Sequence, residues 1–409
     1  MKRIGRASRL RGELRVPSDK SIGHRALMLA AIADRESSVT LHQPGADLES
    51  TRSCVARLSD GETLDCGNSG TTMRLLTGLL AGQRLTATLD GDGSLRRRPM
   101  ERIAVPLRAM GADVETTDGH APVHVRRGEL LATGHRLNVA SAQVLGAICL
   151  AALGADGETR VEVPGPTRDH TERLLGWLGV PIRRDGLVTT VAGPARPRPF
   201  AYDVPGDPSS AAAWIVAATL HPDAELTLTN VCLNPTRLGF IGVLRRMGAR
   251  IELREAAVDG PEPVGDISVR SAERLEAVEI AGDEVADLID ELPLLAIAMA
   301  AARGSSQLRD AGELRVKESD RIASVVEGLD AVGAEVDELP DGWRVSRGRP
   351  RDAAVATHGD HRIAMAFAIA ALTGVAGEVR IDDADCASVS YPTFWDDLEA
   401  VSMAKAVPA

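Results

Sequence analysis

Apolar residues along this chain gather into six runs, each long enough for a helix and too continuous for an amphipathic one. Each run begins at a small polar or charged cluster: Ser18-Asp19-Lys20-Ser21, Asn68-Ser69-Gly70-Thr71-Thr72, Ser141-Ala142-Gln143, Asp207-Pro208-Ser209-Ser210, Asp290-Glu291 and Asp360-His361-Arg362. Typical runs are 24–33 (HRALMLAAIA), 143–153 (QVLGAICLAAL) and 363–372 (IAMAFAIAAL). A helix that is hydrophobic on every face must be buried on every side. Six of them predict a repeated architecture with helices packed inside sheets. Strands are predicted behind the runs at 38–41, 85–89, 159–163, 226–231, 307–308 onward and 378–381. A second, amphipathic helix in several repeats ends in a recurring signature: LRAMGADV (107–114), LGWLGVPI (175–182), LRRMGARI (244–251) and LDAVGAEV (329–336). Its glycines, Gly111, Gly179, Gly248 and Gly333, stand where a C-cap hands a helix to a strand, as at 250–253. Each repeat therefore reads as helix–strand–helix–strand with a further strand, and the periodicity sets an α/β class before any motif does.

The starts fall at 18, 68, 141, 209, 290 and 360, which makes the first repeat about 20 residues shorter than the others. It also lacks the glycine signature between Cys54 and Leu64. Six repeats divide most naturally three and three, and Pro205-Gly206-Asp207 at the midpoint suits a hinge. The proline-rich stretch 194–199 (PARPRP) reads as a stiff loop.

Composition narrows the partners. Of 409 residues, 44% are hydrophobic and 26% charged, as in an ordinary globular protein. Aromatics make up only 2% and the net charge is −11, which argues against a nucleic-acid or anionic-membrane surface. Any anion site must be a local basic pocket in an acidic protein. The five cysteines contain no C-x-x-C pair, so neither a disulfide framework nor a zinc site is expected, and a reducing cytoplasm fits. The first 20 residues are basic without an apolar stretch, so no secretory signal is expected, and no run reaches membrane-spanning length.

The polar starts place orphan N–H groups and positive dipole ends beside reactive side chains, which suits anions. Lys20 and His24, and Ser21 and Arg25, are each four apart and share a face. Together they form an anion site or simply a capped helix with solvated charges. The turn at 68–74 could cradle a phosphate or carboxylate through its backbone, and is equally an unremarkable turn and cap. Three arginines in 94–99 (SLRRRP) suit a bidentate clamp or a solvated face. Lys317-Glu318-Ser319-Asp320-Arg321 is expected to open the second helix of the fifth repeat, with Lys317 and Arg321 on one side. Asp290-Glu291 is either a helix cap or a general base beside a basic pocket. The triplet at 360–362 leads straight into a buried run and should face a cleft, with His361 a structural hydrogen-bonder rather than a catalyst.

Taken together these stretches closely resemble the 5-enolpyruvylshikimate-3-phosphate synthase family. The resemblance lies in 16–29 (VPSDKSIGHRALML), 64–76 (LDCGNSGTTMRLL), 91–100 (GDGSLRRRPM), 141–145 (SAQVL), 167–171 (TRDHT), 205–210 (PGDPSS), 288–293 (LIDELP), 314–321 (LRVKESDR) and 358–366 (HGDHRIAMA), in order along nearly the whole chain. It implies two similar domains, each of three βαβαββ repeats in an inside-out α/β barrel, with the active site in the cleft between them. Residues 19–207 would form one domain and 1–18 with 208–409 the other, the strand at 13–16 joining the latter, with hinges near 17–19 and 205–208.

The implied reaction transfers the enolpyruvyl group of phosphoenolpyruvate to the 5-hydroxyl of shikimate-3-phosphate by addition and elimination. Lys20, Ser21, Arg25, Ser141, Ala142, Gln143, Arg168, Asp290 and Lys317 would bind shikimate-3-phosphate. Lys20, Gly70, Arg98, Gln143, Arg321 and Arg362 would bind phosphoenolpyruvate, and Asp290, Glu318 and Lys20 would be catalytic. The resemblance implies no metal or organic cofactor, no macromolecular partner and a monomer. Glycine at 70, where tolerant relatives have alanine, implies sensitivity to glyphosate. Two departures stand out: the short first repeat, and 388–392 (SVSYP), which lacks a lysine that some relatives carry there. The sister transferase acting on UDP-N-acetylglucosamine uses a loop cysteine, and no cysteine here lies beside 96–99. A non-catalytic module binding a phosphorylated metabolite is the remaining alternative, disfavoured by the retained carboxylates.

Overall fold

The computed structural model describes residues 1–256, 259–402 and 407–408. The chain divides into two compact units, an N-terminal one of Ser18–Val204 with Asp259–Glu262 and a C-terminal one of Met1–Pro17, Pro205–Val258 and Pro263–Ala409.

The inner helices of the N-terminal unit are Lys20–Ile32, Gly70–Gly82 and Ala142–Ala152. Every residue of Gly70–Gly82 is buried except Thr71, as a helix with apolar residues on every face requires. This helix crosses its neighbour in backbone contact. A Cβ on Gly78 would lie 2.1 Å from the Ala147 carbonyl oxygen, and one on Gly82 would lie 2.5 Å from that of Leu150. Glycine is needed here because the two main chains leave no room for a side chain. In the C-terminal unit the inner helices are Pro208–Leu220, Leu292–Ala301 and His361–Thr373. His361–Thr373 is buried throughout except at Arg362. Trp214 anchors this core, donating to the Tyr391 hydroxyl at 2.8 Å and packing on Phe394.

Among the described residues, five four-stranded sheets surround the helices, each a parallel pair followed by two antiparallel strands. In the first, Glu62–Asp65 runs parallel to Ala87–Asp90, and the hairpin Asp113–Thr117 and His120–Arg126 completes the order antiparallel. The sixth sheet has only two strands, Ser38–Thr40 parallel to Ala201–Asp203. It belongs to the short repeat, whose second helix Ala46–Ala56 passes directly to Glu62–Asp65 without the intervening hairpin. Among the described residues the sheets stay separate and open around the buried helices, the inside-out arrangement expected of the repeats.

All four signature glycines adopt left-handed φ, +92° at Gly111, +80° at Gly179, +111° at Gly248 and +94° at Gly333, as a C-cap needs. A short strand, Lys2–Ile4, comes first, and the strand expected at 13–16 is shifted to Leu10–Leu14. Its register is set by pairing with the strand Ala224–Cys232, from Ala224 opposite Leu10 to Leu228 opposite Leu14. Val16 is buried but lies beyond that ladder. No helix among the described residues is long and apolar enough to cross a membrane.

Candidate active site

In the N-terminal unit the polar groups lie at the start of the inner helices. Asp19 caps the first by accepting from the Ile22 amide at 2.9 Å, Ser69 caps the second through the Thr72 amide, and Ser141 caps the third through the Val144 amide. These caps fix the first turns, and with them the side chains projecting from each. Lys20 Nζ sits 3.0 Å from Asp47 Oδ2. Arg25 is buried and holds the helices together, donating through Nε to Thr171 Oγ1 at 2.7 Å and to the Ser21 and Ala142 carbonyls at 2.8 and 3.3 Å. Burial lowers its pKa to about 10 against the opposing pull of Glu172 and Asp19, and the nearby Arg168 lowers it further.

Gln143 links the second and third helices, its Nε2 donating to Thr71 Oγ1 at 2.8 Å and its Oε1 accepting from Arg74 at 2.6 Å. Arg98 donates to Asn68 Oδ1 at 2.7 Å. Gly70 lies directly below these cations. A Cβ there would come within 3.1 Å of an Arg74 terminal nitrogen and 3.3 Å of one from Arg98. Burial, with Arg102 and Arg98 close by, lowers Arg74 to about 10. His24 is buried and bonded to Thr51 Oγ1 at 2.6 Å. Burial takes its pKa down to about 3, which leaves it neutral and unsuited to proton transfer near neutrality.

Arginines organise the C-terminal unit. Arg321 is 1% exposed and meets three carboxylates: Asp360 at 2.8 Å, Glu318 at 2.7 Å and Asp290 at 3.8 Å. Burial opposes its charge, yet Glu318, Asp360 and Asp290 hold its pKa above the ordinary value. Burial would raise Asp360, and the Arg321 guanidinium overrides it and holds the carboxyl low. Arg362 donates to the Asp290 carbonyl at 2.7 Å, and its other terminal nitrogen lies 3.8 Å from the Asp290 carboxylate. Asp290 thus faces two guanidiniums. Glu291 does not cap its helix; its carboxylate accepts from Ser209 Oγ. Arg237, 2% exposed, ties Asp207 and Ser209 to the same end.

The expected helix start at Lys317 is corrected. Residues Gly312–Val316 form a 3-10 turn, and the helix is Arg321–Ala331, because Asp320 caps it by accepting from the Ala323 amide at 3.1 Å. Lys317 and Arg321 therefore do not share a helical face. Lys317 pairs with Glu313 at 3.0 Å.

Several participants lie outside the set of site residues that the family resemblance implies. Arg74 is the only charge inside the run MRLLTGLL at 73–80, which marks it in the sequence as a buried cation in need of partners. Asp47, Asn68, Asp360 and Arg237 gain their meaning only from partners remote in sequence. A separate group, Asp169, His170 and Glu262, brings its ligand atoms within 4.8 Å of one another. Arg173 supplies positive charge to it, 2.8 Å from Asp169 and 3.7 Å from Glu262, and His170 Nδ1 is 2.7 Å from the Glu262 carboxylate.

The chain is similar to known proteins over nearly its whole length. The family described as EPSP synthase (3-phosphoshikimate 1-carboxyvinyltransferase) matches residues 4–63 and 56–398. The two pieces meet where the first repeat is short. A 3-phosphoshikimate 1-carboxyvinyltransferase of Roseiflexus castenholzii is 48% identical, covering 96% of this chain and 97% of that protein. One from Salinibacter ruber is 45% identical, covering 98% and 99%. The solved EPSP synthase of Acinetobacter baumannii superposes with a TM-score of 0.90 at 36% identity, covering 100% of this chain and 99% of that one.

Proposed function

The chain belongs to the EPSP synthase family, the 3-phosphoshikimate 1-carboxyvinyltransferases, and on that premise we propose which of its side chains carry the reaction. The enzyme moves the enolpyruvyl group of phosphoenolpyruvate to the 5-hydroxyl of shikimate-3-phosphate and releases inorganic phosphate, a step of aromatic amino-acid biosynthesis.

In the proposal, Lys20, Ser21, Arg25, Ser141, Ala142, Gln143 and Arg168 hold shikimate-3-phosphate, with Asp290 and Lys317 on its ring side. Lys20, Gly70, Arg98, Gln143, Arg321 and Arg362 hold phosphoenolpyruvate. Asp290 takes the proton of the 5-hydroxyl as that oxygen bonds to C2 of phosphoenolpyruvate. Glu318 or Lys20 delivers a proton to C3, giving a tetrahedral intermediate. Elimination then breaks the C2–O bond to phosphate and removes a proton from C3, leaving the enol ether. The cations stabilise charge present and charge developing, and preorganised donors of this kind supply a large share of such rate enhancements. The observation that best supports this reading is Asp290, a carboxylate 3.8 Å from both Arg321 and Arg362, which sets a proton acceptor among anion-binding groups. We place the enzyme in the cytoplasm as a monomer. A phosphate-release assay tests the reading: release should need both substrates, and UDP-N-acetylglucosamine should not replace shikimate-3-phosphate.

Two further results are expected. All five cysteines are buried, so iodoacetamide should leave the native enzyme active over an hour-scale incubation. Rapid inactivation by one alkylated thiol would point to cysteine chemistry instead. Gly70→Ala should push the Arg74 and Arg98 guanidiniums aside, since both lie inside ordinary contact distance of the new methyl. We expect the glyphosate inhibition constant to rise at least about tenfold, roughly 1.4 kcal/mol, and the KM for phosphoenolpyruvate to rise by less. Equal inhibition constants in parent and variant would overturn the steric account.

A further inference from the structure

The inner helices of the C-terminal unit carry their polar groups at the N-terminal ends; their C-terminal ends meet elsewhere. Thr219 and Leu220, Ala300 to Ala302, and Thr373 with Gly374 all line one cavity of about 780 Å³. Four arginines border it, Arg6, Arg274, Arg303 and Arg347, against a single carboxylate, Glu273. Glu273 is already paired with Arg250, and Arg274 with Glu276. Arg6, Arg303 and Arg347 make no side-chain hydrogen bond or ion pair among the described residues.

One simple account is that these arginines offset the helix dipoles. Each C-terminal end carries about −0.5 charge, so three bring roughly −1.5 against three unpaired guanidiniums. Backbone amides also already occupy terminal carbonyls of each helix: Ala272 N–H bonds to Thr219 at 3.1 Å, Ala302 N–H to Met299 at 3.2 Å and Ala7 N–H to Leu372 at 3.0 Å. The positive charge therefore exceeds what the helix ends require. That excess is unusual in a chain of net charge −11. The walls between the arginines are apolar, from Leu220, Pro222, Leu275 and Val375. The volume falls within the ~300–1,000 Å³ common for small-molecule sites.

We propose that this cavity is a second ligand site, separate from the substrate-binding residues, which takes a small organic anion of two or more charges with an apolar body. Guanidinium forks grip phosphate or carboxylate oxygens in pairs, and the apolar walls cover the rest of the molecule. Occupancy stabilises the C-terminal unit, because a ligand that binds only the folded form shifts unfolding by mass action.

Inorganic pyrophosphate is the test probe, titrated by calorimetry into the full chain. The parent is compared with Arg6→Gln/Arg303→Gln/Arg347→Gln and with Lys20→Met/Arg98→Gln. Affinity at one site should fall at least about tenfold in the triple variant and persist in the Lys20→Met/Arg98→Gln protein. Turnover of the triple variant should equal the parent's. Arg6 packs against Gly374, so Arg303→Gln/Arg347→Gln is the second variant should the triple one fold poorly. Unchanged binding in both arginine variants, binding lost only with Lys20→Met/Arg98→Gln, or no binding to the parent would each overturn the proposal.

Discussion

Asp290→Asn is expected to lower kcat at least ~100-fold, the usual scale for losing a general base, while the KM values change far less. The substitution keeps the shape of the side chain and removes its ability to take a proton. Asp290 is 21% exposed, with its carbonyl held by Arg362 at 2.7 Å, so the main chain should stay in place. The acidic limb of the pH–kcat profile should also disappear or move, which a merely positional role would not cause. Lys20→Met should show a fall of similar size, since it removes a cation proposed to touch both substrates. Steady-state assays by phosphate release measure both. Near-parental turnover in either purified variant would withdraw the role assigned to that residue.

Arg321→Met should cost about 3–5 kcal/mol of stability, as expected for breaking a buried ion pair by removing one partner. Asp360 is fully buried and would lose its guanidinium, while Glu318 and Asp290 would face each other with less cation between them. Lysine is not a substitute, because Arg321 reaches Asp360 through Nε and Glu318 through a terminal nitrogen at once. A urea midpoint well below the parent's is the expected readout. Adding Asp360→Asn to Arg321→Met should recover part of the loss by removing the stranded charge. A change under about 1 kcal/mol, the scale of an exposed pair, would show that the network is more solvated than its burial implies.

The parts of this architecture that the sequence discloses are those enforced by one residue at a time. Gly111, Gly179, Gly248 and Gly333 could be read as helix ends because the left-handed turn that ends those helices excludes most side chains. Arg362 was legible as a charge kept out of the core because it stands beside a run that must be buried. Pairwise features were not legible. Asp47 meets Lys20 across 27 residues, His170 meets Glu262 across 92, and Ser209 meets Glu291 across 82; no local pattern announces any of them. The helix expected at Lys317 failed for a related reason. Asp320 is an ordinary residue until its side chain is seen to take the Ala323 amide, and that bond decides where the helix begins.

The two-stranded sheet of the first repeat separates what a repeat contributes to chemistry from what it contributes to bulk. Four of its siblings carry an outer hairpin, whereas this repeat goes from Ala46–Ala56 to the next strand within a few residues. The helix bearing Lys20 and Arg25 is nonetheless buried and capped, covered by Leu48 on the neighbouring helix. The outer hairpin is thus an accessory shell, and burial and capping of the inner helix do not depend on it. Residues 57–61 are therefore where a designer could graft or vary a hairpin with least disturbance to the capped first turn that bears Lys20.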